Sequence, residues 1–188
     1  MPLQFLLERR SVVAAQLCEP GPDSAQIIEL IRAGIRVPDH KALAPWRFIV
    51  FTGDARSDFG RAIATIYQQL HGEECLPRHI ENERNRLLRA PVVIAVVSSP
   101  VESEKVPVGE QRLSAGASCQ NILHAAKALG FGAQWITEWI AYDSQVAKLL
   151  HLEQKEQIAG FIYIGTTATP PRERPRIEPE KRLTYWKI

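Results

Sequence analysis

The chain has 188 residues, 45% of them hydrophobic, with 23 Lys+Arg against 21 Asp+Glu for a formal net charge of +2. That is enough apolar material for one packed domain or for half of an obligate dimer. The near balance of charge argues against a nucleic-acid or anionic-membrane surface, and apolar runs such as PVVIAVV from Pro91 are too short to span a bilayer.

The opening MPLQFLLERRS lacks the order of a secretory leader. Its LQFLLERR segment reads as a short first helix. CEPGPDS breaks the chain, and Asp23 or Ser24 can cap a second helix, AQIIELIRAGIR, with Ile27, Leu30, Ile31 and Ile35 as its apolar stripe. Pro38 stops that helix. RFIVFTG reads as a strand and ARSDFGRAIATIYQQL as the helix that returns from it. RHIENERNRLLRA alternates charge signs at helical spacing until Pro91. VVIAVVSS is an apolar strand, buried on both faces. The longest helix is expected from about Glu110 to Leu129, with Ala115, Cys119, Ile122, Ala126 and Leu129 at helical spacing. AQWITEW is a short strand or extended link, YDSQVAKLL a capped helix, and IAGFIYIGT a final strand. A tail from Pro170 carries four prolines among charged residues and closes on LTYWKI. The expected fold is α+β, a single domain over residues 1–188 with a small sheet between helices.

The nucleotide fingerprints GxGxxG after the first strand and GxxxxGK[ST] are absent, as is the GxSxG of a hydrolase elbow. His40, His71, His79, His124 and His151 are scattered, so no metal site is expected. Cys18, Cys75 and Cys119 fit neither a disulfide framework nor a zinc site, and reduced, mostly buried thiols in a cytoplasmic protein are expected. Three stretches retain chemical interest. Arg9, Arg10 and Ser11 can grip a phosphate through bidentate, charge-assisted hydrogen bonds, or can simply complement a helix C-terminus. In RVPDHKALAPWRFIVF, His40 can donate to a ligand or sit in water, and Trp46 can face a flat ligand or fill the core. The small residues Gly116, Ala117 and Ser118 suit close helix packing, either in the core or at a dimer interface. With little support for protein-borne catalysis, the remaining option is a site that holds a planar, phosphate-bearing cofactor.

ERRS, IRAGIRVPDHKALAPWRFIV, GFGAQWITEW and IAGFIYIGT, in that order over about residues 5–167, resemble the FMN-dependent nitroreductase family, and in particular its short branch of single-domain NAD(P)H nitroreductases. The resemblance implies a central, mostly antiparallel sheet flanked by helices in an intertwined homodimer. The long helix would form the interface, and the C-terminal extension, residues 170–188, would embrace the partner. It implies that Arg9, Arg10 and Ser11 hold the FMN phosphate and ribityl side, that Arg36 and His40 touch the flavin, and that Trp135, Ile136 and Thr137 line its ring, partly through backbone groups. Residues 125–130 would lie near the nicotinamide nucleotide. The implied reaction is ping-pong: hydride from NADH or NADPH to FMN, then electrons to a small acceptor such as a nitroaromatic or quinone, with no catalytic side chain. Dehalogenation or flavin destruction on the same fold, or a non-catalytic flavin-binding or structural dimer, are the alternatives, and the short 71–89 region disfavours a large lid. The chain departs from the broader pattern in lacking an arginine two residues after Ser11, where Arg172 or Arg174 would be the substitutes. It also departs in placing Asp39, Ala42 and Ala44 where amide or hydroxyl side chains are usual, a change worth about 1 kcal/mol per lost hydrogen bond.

Overall fold

The computed structural model describes residues 2–187, so residue 188 of the C-terminal extension lies outside the described residues. In chain order the elements are α1 (Pro2–Glu8), β1 (Leu17–Cys18), α2 (Ser24–Gly34), β2 (Trp46–Phe51), α3 (Asp54–His71), α4 (Pro77–Arg84), β3 (Val92–Ser98), α5 (Val108–Ala128), β4 (Gly132–Ile136), α6 (Ser144–Leu149) and β5 (Gln157–Thr167). Every pairing in the five-stranded sheet is antiparallel: β2 with β3, β3 with β5, and both β4 and β1 with β5. The expected α+β class and small antiparallel sheet between helices are what the chain forms.

The sheet separates two apolar layers, and the strand period of two assigns residues to them. Val93, Ala95 and Val97 of β3, with Phe161 and Tyr163 of β5, face Phe51, Phe59, Ile63, Leu87 and Val146. Val92, Ile94, Val96, Ile162 and Ile164 face Leu30, Cys119, Ile122, Leu123 and Ala126 of α2 and α5. All seven residues of β3 are buried, as a run without polar alternation requires. A fully buried aliphatic side chain of this kind contributes about 1.5–3 kcal/mol.

Local chemistry sets the helix ends. Asp23 caps α2 in a reciprocal box, its Oδ1 accepting from Gln26 N–H (2.8 Å) while Gln26 Oε1 accepts from Asp23 N–H (3.0 Å). Asp143 caps α6 by accepting from the N–H groups of Gln145 and Val146. Gln111, buried on α5, ties down the preceding loop through Val101 N–H, Val101 C=O and Val106 C=O.

Three expectations need correction. RHIENERNRLLRA is not one helix: α4 ends at Arg84, and Arg86–Arg89 form a separate turn because Arg86 and Arg89 swing inward onto carboxylates. Leu129 does not extend the buried stripe of α5, which ends at Ala128 and leaves Leu129 exposed. Of the three thiols only Cys119 is buried, and burial pushes it up to about 12, whereas Cys18 is exposed.

Candidate functional site

The expected site residues fall into three groups: Arg9, Arg10 and Ser11 near the C-terminal end of α5, Arg36 and His40 on the loop that crosses α5, and Trp135, Ile136 and Thr137 at the end of β4. Arg9 and Arg10 follow α1 and line a cavity of about 220 Å³ with Glu8, Val12, Leu123, Lys127, Gly132 and Pro171 among its walls. Arg10 is anchored by its own backbone surroundings, Nη1 donating to Leu7 C=O (2.5 Å) and to Arg9 C=O (3.0 Å). Its Nη2 pairs with the Glu173 carboxylate of the tail, while its Nε is buried with no hydrogen-bond partner among the described residues. Lys127 reaches in from the last turn of α5, donating to Phe5 C=O (2.9 Å) with its ammonium over the Phe5 ring. Burial, together with the charges of Arg176 and Arg10, lowers the Arg9 pKa. Burial and the charges of Arg9 and Lys127 likewise push the His124 pKa down. Glu8 and Glu173 offset only part of this crowding. Like charges gathered around a half-buried cavity, with one guanidinium N–H unpaired, fit a phosphate. Ser11 follows them, exposed.

A tail cation whose charge bears on Arg9 is Arg176. Val13, two residues beyond Ser11, is exposed.

The second group sits at the N-terminal end of α5. His40 Nδ1 lies 2.9 Å from Glu110 Oε2, and the two side chains line a cavity of about 340 Å³ with Pro38, Leu113, Ser114 and Ala117. The loop that presents His40 is strained: Lys41, Ala42 and Ala44 all have positive φ, at 64°, 53° and 49°. Asp39 holds it in that shape by accepting from the N–H groups of Leu43 (3.1 Å) and Ala44 (2.8 Å). The Asp39 of the Pro-Asp-His-Lys loop is therefore a brace. Trp46 is another: its Nε1–H donates to Ser114 Oγ, which itself donates to Pro38 C=O (2.8 Å), latching β2 and the loop onto α5. Arg36 presents an exposed side chain, and its C=O accepts from Asn121 Nδ2 (2.8 Å). Glu110 and Lys127 stand seventeen residues apart on α5, about 25 Å at the helical rise. One chain does not bring His40 and Arg10 to one place.

β4 supplies the third segment. Trp135 lies over Gly160 so closely that a Cβ there would be 1.9 Å from Nε1, and that Nε1–H donates to Ala159 C=O (3.1 Å). The far edge of the indole approaches Gly116 on α5. Ile136 turns its side chain to the opposite face, packed against the first core layer, so only its backbone is available to a ligand on the α5 side. Thr137, half-buried, ends the segment.

Sequence reasoning missed a charged cluster just beyond. Glu138 accepts from Arg86 Nη1 and from Arg89 Nη2 (2.8 Å). Arg86 also pairs with buried Glu83, which accepts from Trp139 Nε1–H (2.9 Å), and Arg89 donates to Tyr163 Oη (3.1 Å). Burial alone would raise the Glu138 pKa, but hydrogen bonds and charge from Arg89 and Arg86 hold it below the usual carboxylate range. No spacing pattern announces these partners, which come from two loops about fifty residues apart.

Among the described residues no group of His, Cys, Asp and Glu is placed to hold a metal ion, and no helix is long and apolar enough to cross a membrane. The α+β fold with a phosphate-suited cationic cavity at its first helix defines a class, and comparison with known proteins names it. The model of the Nitroreductase family matches residues 6–166. The protein named "Putative NAD(P)H nitroreductase YdjA" of Escherichia coli (strain K12) is 37% identical over 164 residues, 87% of each chain. A nitroreductase-like family protein from Bacillus cereus superposes with a TM-score of 0.82 at 19% identity, over 100% of this chain and 96% of that one. A nitroreductase from Desulfovibrio desulfuricans, described as putative and solved in complex with FMN, superposes with a TM-score of 0.72 at 25% identity, over 99% of this chain and 97% of that one. The chain belongs to the nitroreductase family.

Proposed function

We propose that the protein is a cytoplasmic, homodimeric FMN-dependent oxidoreductase that uses NADH or NADPH to reduce a small electron-poor acceptor, such as a nitroaromatic or a quinone. The observation that carries this reading is the cavity of Arg9, Arg10 and Lys127 with its unpaired, buried Arg10 Nε. FMN-bound and NAD(P)H-named relatives support it. When bound, FMN would supply the redox chemistry between nicotinamide and acceptor, at a site held by Arg9, Arg10 and the end of β4.

The chain's own work is to bind and to place charge. Arg9 and Arg10 hold the phosphate, with Ser11 beside them. Trp135, the backbone of Ile136, and Thr137 line the ring. His40, tied to Glu110, stands too far along α5 to join them in one subunit, which supports a site completed by a two-fold copy, while Arg36 docks nearer, at Asn121. Leu113, exposed on α5 beside Ala117, is apolar surface such a copy would cover. Residues 170–188 then act as the arm that embraces the partner. A guanidinium, Arg10 or Arg36, would stabilise the negative charge that reduction adds to the ring.

Steady-state kinetics test the reaction order. With nicotinamide and nitroaromatic varied together, double-reciprocal plots are expected as parallel lines, because the nucleotide leaves before the acceptor enters. Intersecting lines, or no turnover with either nucleotide, would overturn the reading.

A further inference from the structure

Glu138 directly follows Thr137 and has φ 53° and ψ −173°, a region that glycine alone adopts freely. A glutamate kept there needs something to hold it, and its side chain supplies the hold. The carboxylate is caught between Arg86 Nη1 and Arg89 Nη2. Both arginines are themselves fixed. Arg86 lies against buried Glu83, and Arg89 donates to Arg86 C=O (2.8 Å) and Tyr163 Oη with its guanidinium over the tyrosine ring. The next residue, Trp139, is pinned to the same cluster through Nε1–H and Glu83. A cluster serving stability alone has no use for the strained peptide, because a relaxed backbone would spend none of the ion-pair energy on conformation. The strain stands at the end of the segment that runs from Trp135 to Thr137.

We propose that Glu138 is a positioning residue: gripped by Arg86 and Arg89, it locks the peptide after Thr137 in the left-handed region and so fixes how Trp135, Ile136 and Thr137 meet the flavin. This rests on the FMN reading above. The cluster behaves as a clamp replacing the conformational freedom of a glycine with two ion pairs. It follows that glycine at this place does the same job with no clamp at all, whereas alanine, with neither freedom nor clamp, lets the segment relax away from its binding shape.

Titration of FMN against apo-protein, read by quenching of flavin fluorescence, separates these cases. Glu138→Ala is expected to weaken FMN binding about tenfold, and Glu138→Gly to stay within about twofold of the parent. Both variants keep the Glu83–Arg86 pair and the Arg89–Tyr163 bond, so both are expected to stay folded at the titration temperature, which thermal melts check, and unfolding then cannot explain a difference in FMN affinity. Equal FMN affinity in the alanine variant and the parent, or equal weakening in both variants, would overturn the proposal while leaving the flavin reading intact. A parent protein that takes up no FMN would overturn both.

Discussion

Replacing Arg10 with alanine is expected to weaken FMN binding by about ten- to a hundredfold, because a hydrogen bond to a charged group contributes about 1.5–3 kcal/mol. The side chain is prepared for that role. Its contacts with Leu7 C=O and Arg9 C=O fix the guanidinium, and the Nε left over is buried without a partner. Glu173 is the resident counter-ion at Nη2, exposed at the surface of the tail, where an ion pair contributes little. A phosphate that displaced or shared it would gain the forked donor set that a lysine cannot reproduce. Arg10→Lys should therefore recover only part of the loss. Fluorescence titration of apo-protein checks both variants, and FMN binding by Arg10→Ala equal to the parent would remove the phosphate site from this cavity.

The largest effect on stability is expected at the ion pair between Arg47 and Glu156. Arg47 on β2 grips Glu156 with Nε and Nη2, each 2.7 Å from a carboxylate oxygen, and the Glu156 side chain is only 3% exposed. Those hydrogen bonds from Arg47, opposed by burial and aided by the backbone N–H of Glu153, hold its carboxyl at about 2 against an ordinary 4.5. The folded value lies below the unfolded one, so the stabilisation is complete above the ordinary pKa and disappears as pH falls through the folded one. It amounts to about 3 kcal/mol by linkage. Arg47→Met strands a buried carboxylate and should cost about 3–5 kcal/mol at neutral pH. Urea denaturation at pH 7 and again near pH 3 measures this. The gap between variant and parent should narrow in acid, where the stranded carboxyl takes up a proton more readily than the paired one.

What could be read from the sequence follows the range of the interaction. The uninterrupted run VVIAVV announces a strand covered on both sides, and β3 is buried throughout. A cap at Asp23 or Ser24 and a capped helix in YDSQVAKLL were legible because capping spans only three residues, and Asp23 and Asp143 are the residues that do it. The Arg-Arg-Ser run and the Pro-Asp-His-Lys loop point to a site for the same reason, since each is a local constellation. Their relation in space is another matter. That His40 and Arg10 sit at opposite ends of α5 depends on the helix length and on which loops dock at each end. The roles of Asp39 and Trp46 as braces depend on Leu43, Ala44 and Ser114, which only the folded loop brings near. Glu138 was the least legible residue. Backbone dihedrals leave no trace in composition, and a glutamate gives no sign that it occupies a glycine-like conformation until Arg86 and Arg89 are seen to hold it.

The visible spectrum of purified protein reconstituted with FMN, recorded anaerobically before and after excess NADH or NADPH, tests the central claim most directly. The account predicts bound-flavin bands that bleach with one or both nucleotides and return when a nitroaromatic or quinone is added. Protein that takes up no FMN, or bound flavin that neither nucleotide bleaches, would contradict it.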